Sequence, residues 1–455
     1  MEWSEFQNLC RSLFSNAVTI EKSQDREEAI QKTTQAIQDK KTTFSAHLQF
    51  HEYFTIIECL QYDPIRDGWV IWDFRPVGSL KLDILRSFYY HDKVASGLGL
   101  SIIGNQLIRI QSSYERSEDF DLNAYLNMSE ISEKLRSEKE TRDAEWQEFV
   151  EFRCEPGEIR FDSEKSKCRS AKACVATDHC FSNLPNQFEI FDLRDGNDLT
   201  KTWFKENRLR YEDLPYTDLS PIQKIQVDAH KWNAVHFDRK NLELFFQNVT
   251  DTVAFLDFES TNPYIPIFPK TRPFQHLPFL YSLHIWDSKT NELVHKTFIQ
   301  KDTSMDPRPS VLNALSHDLP RGITIFSFND FFEKLIIEES SLAFPEFSSF
   351  WQEVEPRFKD LALPFKRFWV YHPKQNGKAS LKEILPAFTK ENHKELSIQA
   401  GQDANYQYLK LVKKQVTVEE KKSVLEDLVA YCKLDSYGLF LIYRMLREEL
   451  SISQC

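Results

Sequence analysis

Asp257 and Glu259 stand two residues apart in the stretch Val253-Ala-Phe-Leu-Asp-Phe-Glu-Ser260. In a strand, alternate side chains share a face, so the two carboxylates point one way while Leu256 and Phe258 pack the other. Like charges held this close repel, and hard oxygen ligands of this kind favour Mg2+ or Mn2+ as the neutralising cation. For Asp-x-Glu in isolation the plain alternative is a strand end reaching solvent. Two other places add acids. Glu333 lies just inside a helix-like segment, in Asn329-Asp-Phe-Phe-Glu333, and Asp435 follows Tyr431 by four residues, which puts both on one helical face. Taken alone, the latter reads as a half-buried pair.

A second set of candidates is sulfur. Cys168, Cys174 and Cys180 are spaced C-x5-C-x5-C in a polar segment without core periodicity. Zinc sites typically use C-x2-4-C pairs, so the wider spacing leans towards an iron-sulfur cluster (4Fe-4S) completed by a distant cysteine such as Cys10, with Zn2+ as the alternative. Cys154 is a spare. Cys59 and Cys432 lie in apolar runs and read as plain buried thiols.

A third set is basic. From Leu361 to Lys382 there is no Asp or Glu, while Lys366, Arg367, His372, Lys374, Lys378 and Lys382 alternate with Phe365, Phe368, Trp369 and Tyr371. Such a stretch can follow phosphates and stack on unpaired bases, or it can be a solvated loop with its aromatics in the core. A second acid-free stretch, Pro266 to Ser282, carries Lys270 and Arg272 and suits the same groove.

The elements that must position these residues read as follows. After the Asp-x-Glu strand come strands at Phe279 to Trp286 and His295 to Ile299, a meander. Gly322 to Phe328 is a strand running into a helix from Asn329 to Ile337, and a long terminal helix spans roughly Thr417 to Leu450. Upstream, Tyr53 to Gln61 and Trp69 to Arg75 form a hairpin, followed by a strand-rich Leu100 to Gln111 and an amphipathic helix from about Ser129 to Glu151. Residues 186–249 read as a bridging segment, in which Ser220-Pro221 starts a helix with Ser as cap.

The 455 residues are 41% hydrophobic with a net charge of −12, a globular composition that argues against a generally basic nucleic-acid coat and leaves room only for a local groove. No stretch resembles a membrane span or a secretory signal, so a cytoplasmic location is expected, and in that reducing compartment eight cysteines suggest metal or burial rather than disulfides. The 11 glycines contain neither a dinucleotide fingerprint nor a phosphate loop.

Taken in order, Asp-x-Glu on a first strand, Asn-x-x-Phe-Glu at a strand-to-helix junction and Tyr-x-x-x-Asp on a terminal helix resemble the DEDDy 3′-to-5′ exonucleases of the ribonuclease H-like fold. That resemblance implies that Asp257, Glu259, Glu333 and Asp435 hold two divalent ions, Mg2+ or Mn2+, while Tyr431 orients the attacking water. Glu333 departs from the Asp usual there, and Asp360 resembles a secondary, structural acid. The phrases Phe255-Leu-Asp-Phe-Glu-Ser260, Arg272-Pro-Phe-Gln-His-Leu-Pro-Phe279, Asp306-Pro-Arg308, Ser380-Leu-Lys-Glu-Ile-Leu-Pro386 and Tyr431-Cys-Lys-Leu-Asp435 look like the bacterial domain-of-unknown-function family 2779 over about residues 250–445. The N-terminal order of one Cys, a core and three Cys resembles the cluster-containing PD-(D/E)XK nucleases, with Glu58 and Asp73-Phe-Arg75 at the matching positions. There the family lysine is replaced by Arg75, which stays charged and cannot act as a base, so this site is expected to be degenerate.

The expectation is an α/β protein: a degenerate PD-(D/E)XK-like α/β domain with a cysteine metal site at 1–185, a bridge at 186–249, and a ribonuclease H-like mixed sheet flanked by helices at 250–455. The expected activity is 3′-to-5′ exonuclease action on single-stranded DNA or RNA ends. The competing reading is a catalytically inactive scaffold that binds nucleic acid.

Overall fold

The computed structural model describes residues 2–21, 25–151 and 189–451. The chain is α/β, with mixed sheets flanked by helices, and divides into two compact units.

The first unit takes residues 2–151 together with Asn262–Gln275. Its longer helices are α1 (Glu2–Arg11), α2 (Arg26–Gln38), α3 (Leu82–Gly97), α4 (Ser132–Ser137) and α5 (Lys139–Glu151). Its strands β1 (Val18–Thr19), β2 (Thr43–Phe50), β3 (Tyr53–Asp63), β4 (Gly68–Arg75), β5 (Ile102–Ile110) and β6 (Leu126–Glu130) form one sheet in sequence order. The expected hairpin is β3–β4, closed by a turn in which Asp63 accepts the N–H groups of Ile65 and Arg66 at 2.9 and 3.1 Å.

The single helix expected from about Ser129 to Glu151 is broken. Its first residues instead pair with β5, Leu107 against Ser129 and Gln106 against Glu130, before α4 and α5 follow. Ile131 is buried, and the Glu130 carboxylate accepts the Ser132 N–H at 3.1 Å, so ladder and turn bonds win over helix propensity.

Asn262–Gln275 leaves the C-terminal half of the chain and belongs to this unit. The Tyr125 hydroxyl donates to Tyr264 O at 2.9 Å, and Arg116 Nη1 donates to Pro266 O at 2.9 Å.

The second unit comprises the described residues 189–261 and 276–451. Its elements are α6 (Pro221–Trp232), β7 (His236–Phe237), α7 (Arg239–Phe245), β8 (Thr252–Thr261), β9 (Leu277–Asp287), β10 (Glu292–Ile299), α8 (Pro307–Asp318), β11 (Thr324–Ser327), α9 (Phe331–Ala343), β12 (Phe358–Asp360), β13 (Val370–Tyr371), α10 (Leu381–Phe388), α11 (Gly401–Val412) and α12 (Val418–Ser451). The main sheet runs β10-β9-β8-β11-β12. The meander β8-β9-β10 is antiparallel, and β11 lies parallel to both β8 and β12.

Alternation along β8 divides the core. Ala254, Leu256 and Phe258 join Val311, Leu312 and Ile336 on one face, while Val253 and Phe255 join Leu439, Phe440 and Tyr443 of α12 on the other. The region read as a bridge is structured within this unit: α6 carries a full capping box, with Ser220 Oγ accepting Gln223 N–H at 3.3 Å and Gln223 Oε1 accepting Ser220 N–H at 3.0 Å. β7 pairs with β13. Gly377 has φ +71°, and a Cβ there would fall 2.2 Å from Asp192 O, so the close approach of these two segments requires glycine.

Candidate functional site

Asp257 and Glu259 extend the Phe255 face of β8 towards α12. The pairing of β11 with β8 covers Val253 to Phe255 only, so the two acids lie past the end of that parallel partner, on a stretch of β8 bonded to β9 alone. The helix runs back along the same face. Phe440 and Tyr443 meet Phe255 with ring centroids at 5.8 and 5.2 Å, and Cys432 reaches Asp257, its thiol donating to Oδ2 at 3.1 Å. Ser436 Oγ, 2.7 Å from Ser282 Oγ and 2.9 Å from His284 Nδ1, fixes the helix against β9.

Asp257, Glu259 and Cys432 each bring a ligand atom within 4.8 Å of the others. Around this closest set stand the other acids. Asp435 is buried and accepts from His393 Nε2 at 2.7 Å. Glu333, in the first turn of α9, is 3% exposed, and its Oε2 has no hydrogen-bond partner among the described residues.

The electrostatics follow from this crowding. Burial, and then the charges of Asp435, Glu259 and Glu333, push the Asp257 carboxyl well above its ordinary range, opposed by the Cys432 hydrogen bond. Glu259 is raised likewise by burial, with Asp435 and Glu333 adding repulsion and the Lys382 ammonium opposing it. Burial lifts Glu333 to about 8, and Asp330 and Asp360 add to the rise. Tyr431 is raised by burial and by Asp435, Glu259 and Asp257, so its phenol stays protonated. A cation held by Asp257 and Glu259 relieves the repulsion that these two carboxylates share with Asp435.

Residues 254–380 match the family model described as a domain of unknown function, DUF2779. No curated protein and no solved structure matches the chain. The DUF2779 span contains Asp257, Glu259 and Glu333 and ends before His393, Tyr431, Cys432 and Asp435. The family match therefore does not reach the second half of the cluster.

Two of these residues were not legible as functional. Cys432 read as a core thiol, and its position next to Tyr431 in the Tyr-x-x-x-Asp phrase was the available signal. His393 had none: it sits in a one-turn helix, His393–Glu395, and reaches Asp435 across 42 residues.

The basic residues divide. Phe365, Phe368 and Tyr371 are buried in the core, which for these three rings is the second of the two readings of this stretch. Lys366 is tied to Asp360 at 3.1 Å and to Asn329 Oδ1 at 2.7 Å, and Lys378 to Glu383 at 2.9 Å. Arg367 and Lys374 are exposed. Lys382 Nζ lies 5.8 Å from the Tyr431 ring centroid, and its charge acts on Glu259. Lys270 and Arg272 belong to the first unit. Asp360 accepts the Asn329 and Ala362 N–H groups at 2.7 and 2.8 Å and so shapes the β11–α9 junction.

In the first unit, Glu58 accepts from Gln7 Nε2 at 2.8 Å, and buried Asp73 is bridged by Arg75 Nε at 2.8 Å. Burial pushes Asp73 up to about 6 despite Arg75. Arg75 Nη2 also donates to Ser87 Oγ at 3.1 Å, so the guanidinium is engaged on two sides. Cys10 is buried among Phe6, Phe44, Phe74 and Tyr125, and burial followed by Glu58 pushes its thiol up. Cys154, Cys168, Cys174 and Cys180 lie outside the described residues.

Proposed function

We propose that the second unit is a metal-dependent 3′-to-5′ exonuclease that hydrolyses single-stranded DNA or RNA ends. The observation that supports this reading is the close set of Asp257, Glu259 and Cys432, whose two buried carboxylates feel the charges of Asp435 and Glu333 from other parts of the chain, with Tyr431 raised by Asp435, Glu259 and Asp257. The sheet order, with an antiparallel meander followed by two parallel strands, supports the ribonuclease H-like reading. So does the placement of the first acids on the central strand.

Asp257, Glu259, Glu333 and Asp435 would hold two divalent ions, which when bound supply an activated water and charge stabilisation for the leaving oxygen in an in-line displacement. The chain's own groups do the rest. Tyr431 keeps its proton and orients the water by hydrogen bonding, because its phenol is held far from ionisation. His393 holds Asp435 in one rotamer. Lys382 offers positive charge to the incoming phosphate.

The test is a 5′-labelled single strand incubated with purified protein and Mn2+. Stepwise shortening from the 3′ end, lost in Glu259→Gln, supports the proposal. Identical background for both proteins favours the non-catalytic scaffold.

A further inference from the structure

Cys432 lies about 100° around the helix from Tyr431 and about 60° from Asp435, so one sector of α12 offers the pocket a phenol, a thiol and a carboxylate. Its sulfur is 3.1 Å from Asp257 Oδ2 and 3.5 Å from Asp257 O, and it shares the 4.8 Å set with Glu259. A thiol is a weak hydrogen-bond donor, and a serine would brace Asp257 better. What sulfur adds is softness. Carboxylates suit Mg2+ and Mn2+, whereas a thiolate selects Zn2+ and its heavier congeners. Asp257 retains partial exposure, so an ion can reach the set from solvent.

We infer that Asp257, Glu259 and Cys432 form a binding position for thiophilic divalent cations of the zinc class. The inference rests on the proposed cation pocket and specifies which ions compete for it. Binding forms a metal–sulfur bond and releases the Cys432 thiol proton to solvent, with no change of oxidation state. Three protein donors leave a position open, the pattern of an exchangeable rather than a closed structural site. An ion seated there engages Asp257 and Glu259 and withdraws them from the oxygen-only arrangement that the exonuclease reaction needs. Zinc-class ions are therefore inhibitors of the reaction that Mn2+ supports.

The experiment is 113Cd NMR of the full chain, with Cd2+ as the probe, because the shift of each bound ion reports how many thiolates hold it. The wild type is expected to show a resonance of the one-sulfur, oxygen-rich type that paramagnetic Mn2+ broadens or displaces. Cys432→Ser is expected to lack that resonance and to need at least tenfold more buffered free Zn2+ for half-inhibition. Absence of the resonance from the wild type overturns the inference, and this needs no variant to fold. Its persistence in Cys432→Ser overturns it as well. A protein that shows the resonance but shortens no strand keeps this inference and loses the exonuclease reading; one that shortens strands and shows no resonance does the reverse.

Discussion

His393 Nε2 lies 2.7 Å from Asp435 Oδ1, with both side chains buried, so a residue from a one-turn helix holds the carboxylate that α12 presents. Removing the imidazole in His393→Ala leaves a buried acid without this donor. Groups that hold a metal ligand in this way are worth roughly 10- to 100-fold in affinity. Calorimetric Mn2+ titration should show that loss for His393→Ala and a smaller one for His393→Gln, whose amide still donates.

Glu333 makes the metal-free protein sensitive to alkali. Its carboxyl is held at about 8 in the folded state against an ordinary 4.5, so between those values the native protein keeps a proton that the unfolded chain has lost. The contribution of Glu333 to native stability is then full below about pH 4.5 and is lost as pH rises towards 8, by roughly 2–5 kcal/mol. Urea denaturation at pH 5.5 and pH 8 checks this. Glu333→Gln should lessen the dependence and leave the part that the raised Asp257 and Glu259 carboxyls contribute, and saturating Mn2+ should lessen it in the wild type.

Arg75 has a structural task at Asp73. Arg75→Ala strips a buried carboxylate of its ion pair and should cost about 1–3 kcal/mol, scaled down from a fully buried pair because the arginine is half-exposed. Arg75→Lys should recover little, since one ammonium cannot reproduce the fork to Asp73 and Ser87. Strand shortening at the Asp257 pocket should persist in both variants, measured at a temperature where they remain folded.

Ser220→Ala removes one half of the capping box on α6 and should destabilise the protein by about 1 kcal/mol. Ser220→Asp should lose little. Chemical denaturation monitored by far-ultraviolet circular dichroism measures both.

What could be read from sequence was whatever a local pattern encodes. The alternation through Asp257 and Glu259, the strand-to-helix switch before Glu333, the four-residue spacing of Tyr431 and Asp435 and the Ser220-Pro221 cap all survive as expected because each depends on neighbours within a few residues. His393 depends on a contact 42 residues away and leaves no such mark. The same limit explains Ser129 and Glu130, where pairing with a strand beyond the local window overrides a helical pattern. It also explains Phe365 and Tyr371, whose basic neighbours suggested a binding face while the rings themselves fill the core. Cys432 is the buried thiol that its apolar neighbours suggest, while the carboxylate it faces comes from a strand 175 residues away and leaves no local mark.

The claim on which the rest depends is that carboxylates remote in sequence share a cation. Crystals soaked in Mn2+ and measured for anomalous scattering test it most directly. A peak at roughly 2.0–2.6 Å from oxygens of Asp257 and Glu259, with Asp435 or Glu333 completing the shell, is the predicted result. A well-ordered pocket in saturating Mn2+ with no peak within bonding distance of Asp257 would contradict it.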